Sequence, residues 1–532
     1  TQTDNKMKKF YALLLPVLGL MVACENDDEA AIVTPDPDPI EYTSGSANFA
    51  NYVAVGNSLT AGFSDNALFE SGQAASFPNM LATQFALAGG GNFNIPFMAD
   101  DLGGATLGGN PILGNRLILL FTPDGPAPTP KSGTGTTEIS TKLSGSFNNM
   151  GVPGSKSYEL LAPGYGSVTG VGLGTANPYF ARFSSGEDAT VIGDAVAQAP
   201  TFFTLWTGAN DILLYATNGG SGTDRTGNLD PSSYERNDIT DPNVFAGSLN
   251  AILQALTAGS ADGVIANIPD VKDIPFFTTV PFAPLDPTNP AFGPQIPVLN
   301  EQFAGLNLVF QALGVPERQF VFSETAASPI IIHDEDLVNL STEITTALIN
   351  FGVDASTAGI TGLLYGQARQ ANSDDLLVLT SSSEIATLNE EAFAMLTGLG
   401  VDPATAGQLS VNGVTYPMED QWVLTPEEQT AIENAMTAYN ATIEALATQY
   451  DLGFVDMNAK LTELRETGFP QADGSVVTNV FATGGGFSLD GVHPAPRGYA
   501  IVANAFLEVI NAKYGSNLPP VDPLNFTGLY ID

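Results

Sequence analysis

The feature that most constrains this chain is a short apolar run that recurs four times, each closed by a residue that breaks strands. Tyr52-Val53-Ala54-Val55 ends at Gly56, and Phe202-Phe203-Thr204-Leu205-Trp206 ends before Gly208. Gly263-Val264-Ile265-Ala266-Asn267 stops before Pro269, and Gly453-Phe454-Val455-Asp456 is the fourth. Short runs without polar alternation are strands buried on both faces. Helical periodicity lies between some of them. Phe245, Leu249, Ile252, Leu253 and Leu256 share one face and end at Gly259. Thr425-Pro426-Glu427-Glu428 has the form of a capping box with Pro at N1, and Ile432, Met436, Tyr439, Ile443 and Leu446 continue it as a core-facing stripe. A last helix is expected from about Arg497 to Ala512. Strands alternating with helices place the chain in the α/β class, as a three-layer sandwich around a central parallel sheet.

That core is interrupted by long insertions. Residues 89–142 are rich in Gly, Pro and Thr, and 217–241 are polar. The stretch from about 329 to 424 is mostly helical in pattern, with a hairpin expected at Asn412-Gly413. Residues 513–532 form a C-terminal tail. The chain holds 55 glycines and 36 prolines in 532 residues, an excess that predicts long irregular connections within one domain. There are 17 basic and 57 acidic side chains, a net charge of −40, so the chain repels phosphate backbones and nucleic acid is excluded as a partner.

The N-terminus reads as an address. Met7-Lys8-Lys9 precedes an apolar run from Phe10 to Val22, too short to span a bilayer but suited to a signal peptide over 7–23. Met21-Val22-Ala23-Cys24 resembles a bacterial lipobox, with Met where Leu is usual, and Cys24 is the only cysteine. The resemblance implies lipidation of Cys24 and anchoring to a membrane. Residues 24–47 then form an acidic, Pro-rich tether. Its first residues, Glu25-Asn26-Asp27-Asp28-Glu29, resemble the surface-export signal of Bacteroidetes lipoproteins, which implies an outer-membrane lipoprotein exposed at the cell surface.

Four separated pieces carry chemistry. Gly56-Asn57-Ser58 puts a serine on the turn after the first strand, at the sheet edge where open α/β folds bind ligands. Asp490-Gly491-Val492-His493 sets a carboxylate and an imidazole three residues apart, so the acid can hold Nδ1–H and leave Nε2 free as a base. Only one other histidine exists, His333. Asn210, after the Trp206 strand, can offer its side-chain NH₂ to an oxyanion, and Gly154 can offer an unhindered backbone N–H. With the amide of Ser58 these make three donors.

Together and in this order, the pieces resemble the signature blocks of the SGNH (GDSL-like) hydrolase superfamily. The resemblance implies a flavodoxin-like α/β fold over 48–512 and a serine ester hydrolase, an esterase or lipase without cofactor or metal. Ser58 corresponds to the nucleophile, Asp490 and His493 to the rest of the triad, and Ser58, Gly154 and Asn210 to the oxyanion hole. Asn267-Ile268-Pro269-Asp270 resembles a further family segment with no catalytic role to assign. Asn57 stands where the family has Asp. An α/β-hydrolase elbow fits less well, because Thr60 replaces its last glycine and acid and base are too close in sequence.

His333-Asp334-Glu335-Asp336 reads as a strand end and a solvated acidic turn, with no second imidazole or thiolate nearby for a transition metal. Gly89-Gly90-Gly91 reads as a flexible connection. Phe93, Ile95, Phe97, Leu117, Ile118 and Leu119, with the segment 329–424, either wall an apolar acyl pocket or pack the insertions onto the core. Lipid or acylated small molecules are the expected substrates. Carbohydrate O-acetyl esters, or a surface-binding lipoprotein with an idle hydrolase core, are the alternatives.

Overall fold

β1 (Tyr52–Gly56), β2 (Asn149–Gly151), β3 (Phe202–Trp206), β4 (Asp262–Ala266) and β5 (Gly453–Val455) form one sheet in the computed structural model. All pairs are parallel and the spatial order is β5-β4-β3-β1-β2, a doubly wound order. The structure describes residues 40–122 and 125–531. The signal segment, Cys24 and the tether up to residue 39 lie outside the described residues. Among the described residues no helix is long and apolar enough to cross a membrane.

Alternation along each strand sends side chains to two different cores, which is why these strands look uniformly apolar in sequence. Tyr52, Ala54, Phe202, Val264 and Ala266 join one cluster with the helices Phe77–Ala86 and Pro496–Tyr514. Val53, Val55, Phe203, Leu205 and Ile265 join another, with the helices Pro242–Thr257 and Pro426–Gln449. The α/β sandwich is thus covered on both faces. The helix anticipated from Thr425 is present, and Glu428 accepts a hydrogen bond from the Thr425 N–H at 2.6 Å.

The insertions build their own structure. Residues 105–138 hold short strands in small sheets, so the Gly-rich stretch leads into ordered chain. A third apolar cluster runs from Leu285 to Val423, starting well ahead of residue 329, and its helix Ile296–Ala312 contributes Ile296, Leu299, Phe303, Leu306 and Phe310. The hairpin expected at Asn412-Gly413 is a tight turn instead. Gly413 takes a φ of +71°, and its N–H donates to the Tyr416 carbonyl at 2.7 Å. The final residues pack down as a strap: Leu518 and Val521 are buried, and Tyr530 meets the Phe69 ring edge-on at 5.6 Å.

Candidate active site

Ser58 owes its position to Gly56 and Asn57. A Cβ on Gly56 would fall 2.2 Å from Thr60 Oγ1 and 2.3 Å from the Trp206 carbonyl, so only glycine lets β1 pass so close to β3. Asn57 Oδ1 then accepts the Leu59 N–H at 3.0 Å and caps the helical turn Ser58–Ala61. An acidic side chain at position 57 is not needed for that cap. Ser58 therefore stands at the carboxyl end of β1, at the point where the strand order reverses.

The other end of the chain meets it there. His493 Nε2 lies 2.9 Å from Ser58 Oγ, and His493 Nδ1 lies 2.8 Å from Asp490 Oδ2. Gly491, at φ +71°, turns the chain between acid and base and packs against Phe276. Asp490 Oδ1 accepts the N–H groups of Val492 and His493, both at 2.8 Å, and the Ser488 hydroxyl at 3.0 Å. Burial pushes the Asp490 carboxyl up, but the His493 charge and these hydrogen bonds outweigh it and hold it at about 2. Asp490 is therefore a fixed anion over the working pH range, able to orient His493 as a base toward Ser58.

The three expected oxyanion donors gather at the same place. Among the described residues, none accepts a hydrogen bond from the Ser58 or the Gly154 N–H. Gly154 has a φ of +78°, and Arg236 Nη2 donates to its carbonyl, fixing the peptide. Asn210 begins the helix Asn210–Thr217, and its Nδ2 donates to the Ser155 carbonyl at 2.9 Å. A primary amide has two N–H bonds, so one remains for a ligand. The neighbouring Asp211, fully buried, accepts the Ser157 N–H at 2.9 Å and its hydroxyl at 2.8 Å. The turn carrying Gly154 and the helix carrying Asn210 are thus tied together.

Two hollows open on Ser58 and His493. One is a narrow pocket of about 110 Å³, walled mainly by Leu213, Ile268, Ile274, Leu461, Leu464, Phe487 and Ile501. The other is a wider cleft of about 660 Å³, which also contains Gly154, Asn210, Asn66, Thr380, Ser382 and Ser383. Of the two roles left open for the insertion's apolar residues, packing is the commoner. No residue of 92–120 or 329–424 lines the narrow pocket; Leu117, Leu379, Thr380, Ser382 and Ser383 reach only the cleft. Phe93 instead stacks on Tyr52 at 5.0 Å, Ile95 and Ile118 are buried in packing, and Phe303, Phe320 and Tyr365 pack on one another.

Several residues around the triad were not anticipated. Phe63 lies over the His493 ring, with centroids 4.7 Å apart. The Asn66 N–H donates to Asp490 Oδ2 at 2.9 Å, and the Asp65 N–H to Ser488 Oγ at 2.9 Å. Asp65 Oδ1 accepts the Leu489 N–H at 2.9 Å, while its Oδ2, buried, accepts nothing. Asp65 and Asn66 both have positive φ, 50° and 63°, and an Asp-Asn pair is the sequence signal for such a turn. The Asn267 segment is structural: the Asn267 carbonyl accepts from Trp206 Nε1 at 3.0 Å, and its side chain bridges to Asp456 and Asn458. His333 lies apart from this site, at the end of the strand Ile331–His333. The turn after it is not wholly solvated, because Asp334 is buried and paired with Arg369 at 2.6 Å. Comparison with protein-family models, curated proteins and solved structures finds no match to this chain.

Proposed function

We propose that the protein is a serine ester hydrolase of the SGNH (GDSL-like) kind, acting on esters with an apolar acyl group. The observation that carries this reading is the line Ser58–His493–Asp490, with both hydrogen bonds under 3 Å, at the mouth of an apolar pocket. A serine hydroxyl is a weak nucleophile until a base takes its proton, and His493 Nε2 is in reach to do so. Ser58 Oγ then bonds to the ester carbonyl carbon, and the carbonyl oxygen gathers negative charge opposite the Ser58 and Gly154 N–H groups and Asn210 Nδ2. His493 returns the proton to the leaving alkoxide, giving the alcohol and an acyl-Ser58. Water, deprotonated by His493, attacks that ester, and Ser58 recovers its proton as the carboxylic acid leaves.

The two hollows divide the substrate. The narrow apolar pocket suits the acyl chain, and the wider, more polar cleft suits the alcohol. An apolar acyl site favours lipid or fatty-acyl esters over carbohydrate O-acetyl groups, which would leave the pocket unfilled. Attachment through Cys24 to an outer membrane would place such an enzyme beside lipid substrates.

A panel of nitrophenyl esters of increasing chain length tests this, with an acetylated polysaccharide alongside. Each methylene that enters the pocket is expected to raise kcat/KM about fourfold until the pocket is full. Acetate as the best acyl group, or release of acetate from the polysaccharide exceeding ester hydrolysis, contradicts the assignment.

A further inference from the structure

Away from the triad, three carboxylates from three separate segments converge. Glu335 lies in the turn after the strand Ile331–His333, Asp420 in the turn before the helix Pro426–Gln449, and Glu428 in that helix's first turn. One oxygen from each lies within 4.8 Å of the other two. Acidic surface clusters are common and by themselves carry nothing. This one is different because two of its oxygens are closed off from solvent. Glu428 is 4% exposed, and Oε2 accepts the Thr425 N–H while Oε1 is buried without a hydrogen-bond partner. Asp420 is half-buried: the Ser221 hydroxyl donates to Oδ2, and Oδ1 is enclosed without a hydrogen-bond partner. Among the described residues, no Lys or Arg pairs with any of the three. Gly220 backs the cluster so closely that a Cβ there would fall 2.1 Å from Glu428 Oε1.

Carboxylates this close, with so few donors, are costly unless a proton or a cation sits among them. We propose that Glu335, Asp420 and Glu428 form a calcium site. Hard oxygen donors without imidazole or thiolate select against zinc and copper. Calcium accepts irregular oxygen sets at about 2.3–2.6 Å, so oxygens on opposite sides of the ion stand up to about 5 Å apart, as this spacing allows. The ion would clasp the insertion to the long helix of the core. It would do so beside residues 219–221, which follow the helix that begins at Asn210. The site is independent of the ester-hydrolase reading.

Calorimetry and thermal unfolding of the full chain, in calcium chloride and in EDTA, test it. One calcium per chain is expected, with a Kd of about 10⁻⁵–10⁻³ M and a rise in Tm of about 2–4 °C or more at saturation. Glu428→Gln keeps the acceptor for the Thr425 N–H, and Glu335→Gln alters an exposed side chain, so the second decides if the first fails to fold. Each is expected to weaken calcium binding about tenfold or more, with loss of the Tm shift at the same calcium level. Equal Tm in calcium and EDTA overturns the proposal. So does calcium uptake that both variants retain, which would be diffuse condensation on an acidic surface.

Discussion

Asp490 and Asp65 are both buried carboxylates, yet their surroundings drive them in opposite directions. Asp490 accepts four hydrogen bonds besides that of the His493 ring, and it ionises well below an ordinary aspartate. It stabilises the fold above pH 4, and that contribution is lost as pH falls toward about 2. Asp65 has one backbone donor, and burial, with the charge of Asp490 adding to it, pushes it up to about 7. The sign is then reversed. Between pH 3.8 and about 7 the folded state holds a proton that the unfolded chain has released, so stability falls as pH rises through that window. Asp65→Asn removes this dependence while keeping an acceptor for the Leu489 N–H. In urea unfolding, its advantage over the parent is expected to be larger at pH 8 than at pH 5 by about 2 kcal/mol. A difference that does not change with pH contradicts this account.

At the scale of elements, the strand–turn–helix at Gly56–Ser58 shows what was legible and why. The run Tyr52–Val55 announces a doubly buried strand because every residue meets a core, and Gly56 marks where β1 must crowd Trp206. Gly56→Ala is expected to lower stability by about 1–3 kcal/mol and to cost activity by shifting Ser58. Denaturant unfolding at unchanged m-value, paired with ester hydrolysis, measures both; a fully active, equally stable variant would sink the assignment. β2 was not legible. Asn149-Met150-Gly151 is three residues long at the sheet edge, too short for any periodicity. Its Asn149 spends its amide on the Thr60 carbonyl, a tertiary contact without a local signal. The Asn412-Gly413 pair is a good hairpin signal, but its flanks pair with separate segments, Val411 with Leu388 and Met418 with Ile332, so the turn closes without two strands.

At the scale of the whole molecule, the triad was easier to find than the pocket it serves. Ser58 and His493 are 435 positions apart, but each sits on a compact turn whose chemistry is local: glycine, a capping Asn, and an acid three residues from a base. The pocket has no such motif. Its walls come from Leu213, Ile268, the helix Met457–Glu466 and the helix Pro496–Tyr514, whose apolar residues look in sequence like any core face. Whether the insertion walls the pocket or packs away from it was equally open in sequence. Its apolar cluster, from Leu285 to Val423, is large enough to bury its own aromatics, so it offers few side chains to the site. The central claim, that Ser58 is the nucleophile of an ester hydrolase, is tested most directly by labelling with a fluorophosphonate and by nitrophenyl ester hydrolysis, in the parent and in Ser58→Ala. The account predicts one labelled serine in the parent, and loss of both labelling and hydrolysis in a variant that unfolds at the same denaturant concentration; undiminished hydrolysis by folded Ser58→Ala would contradict it.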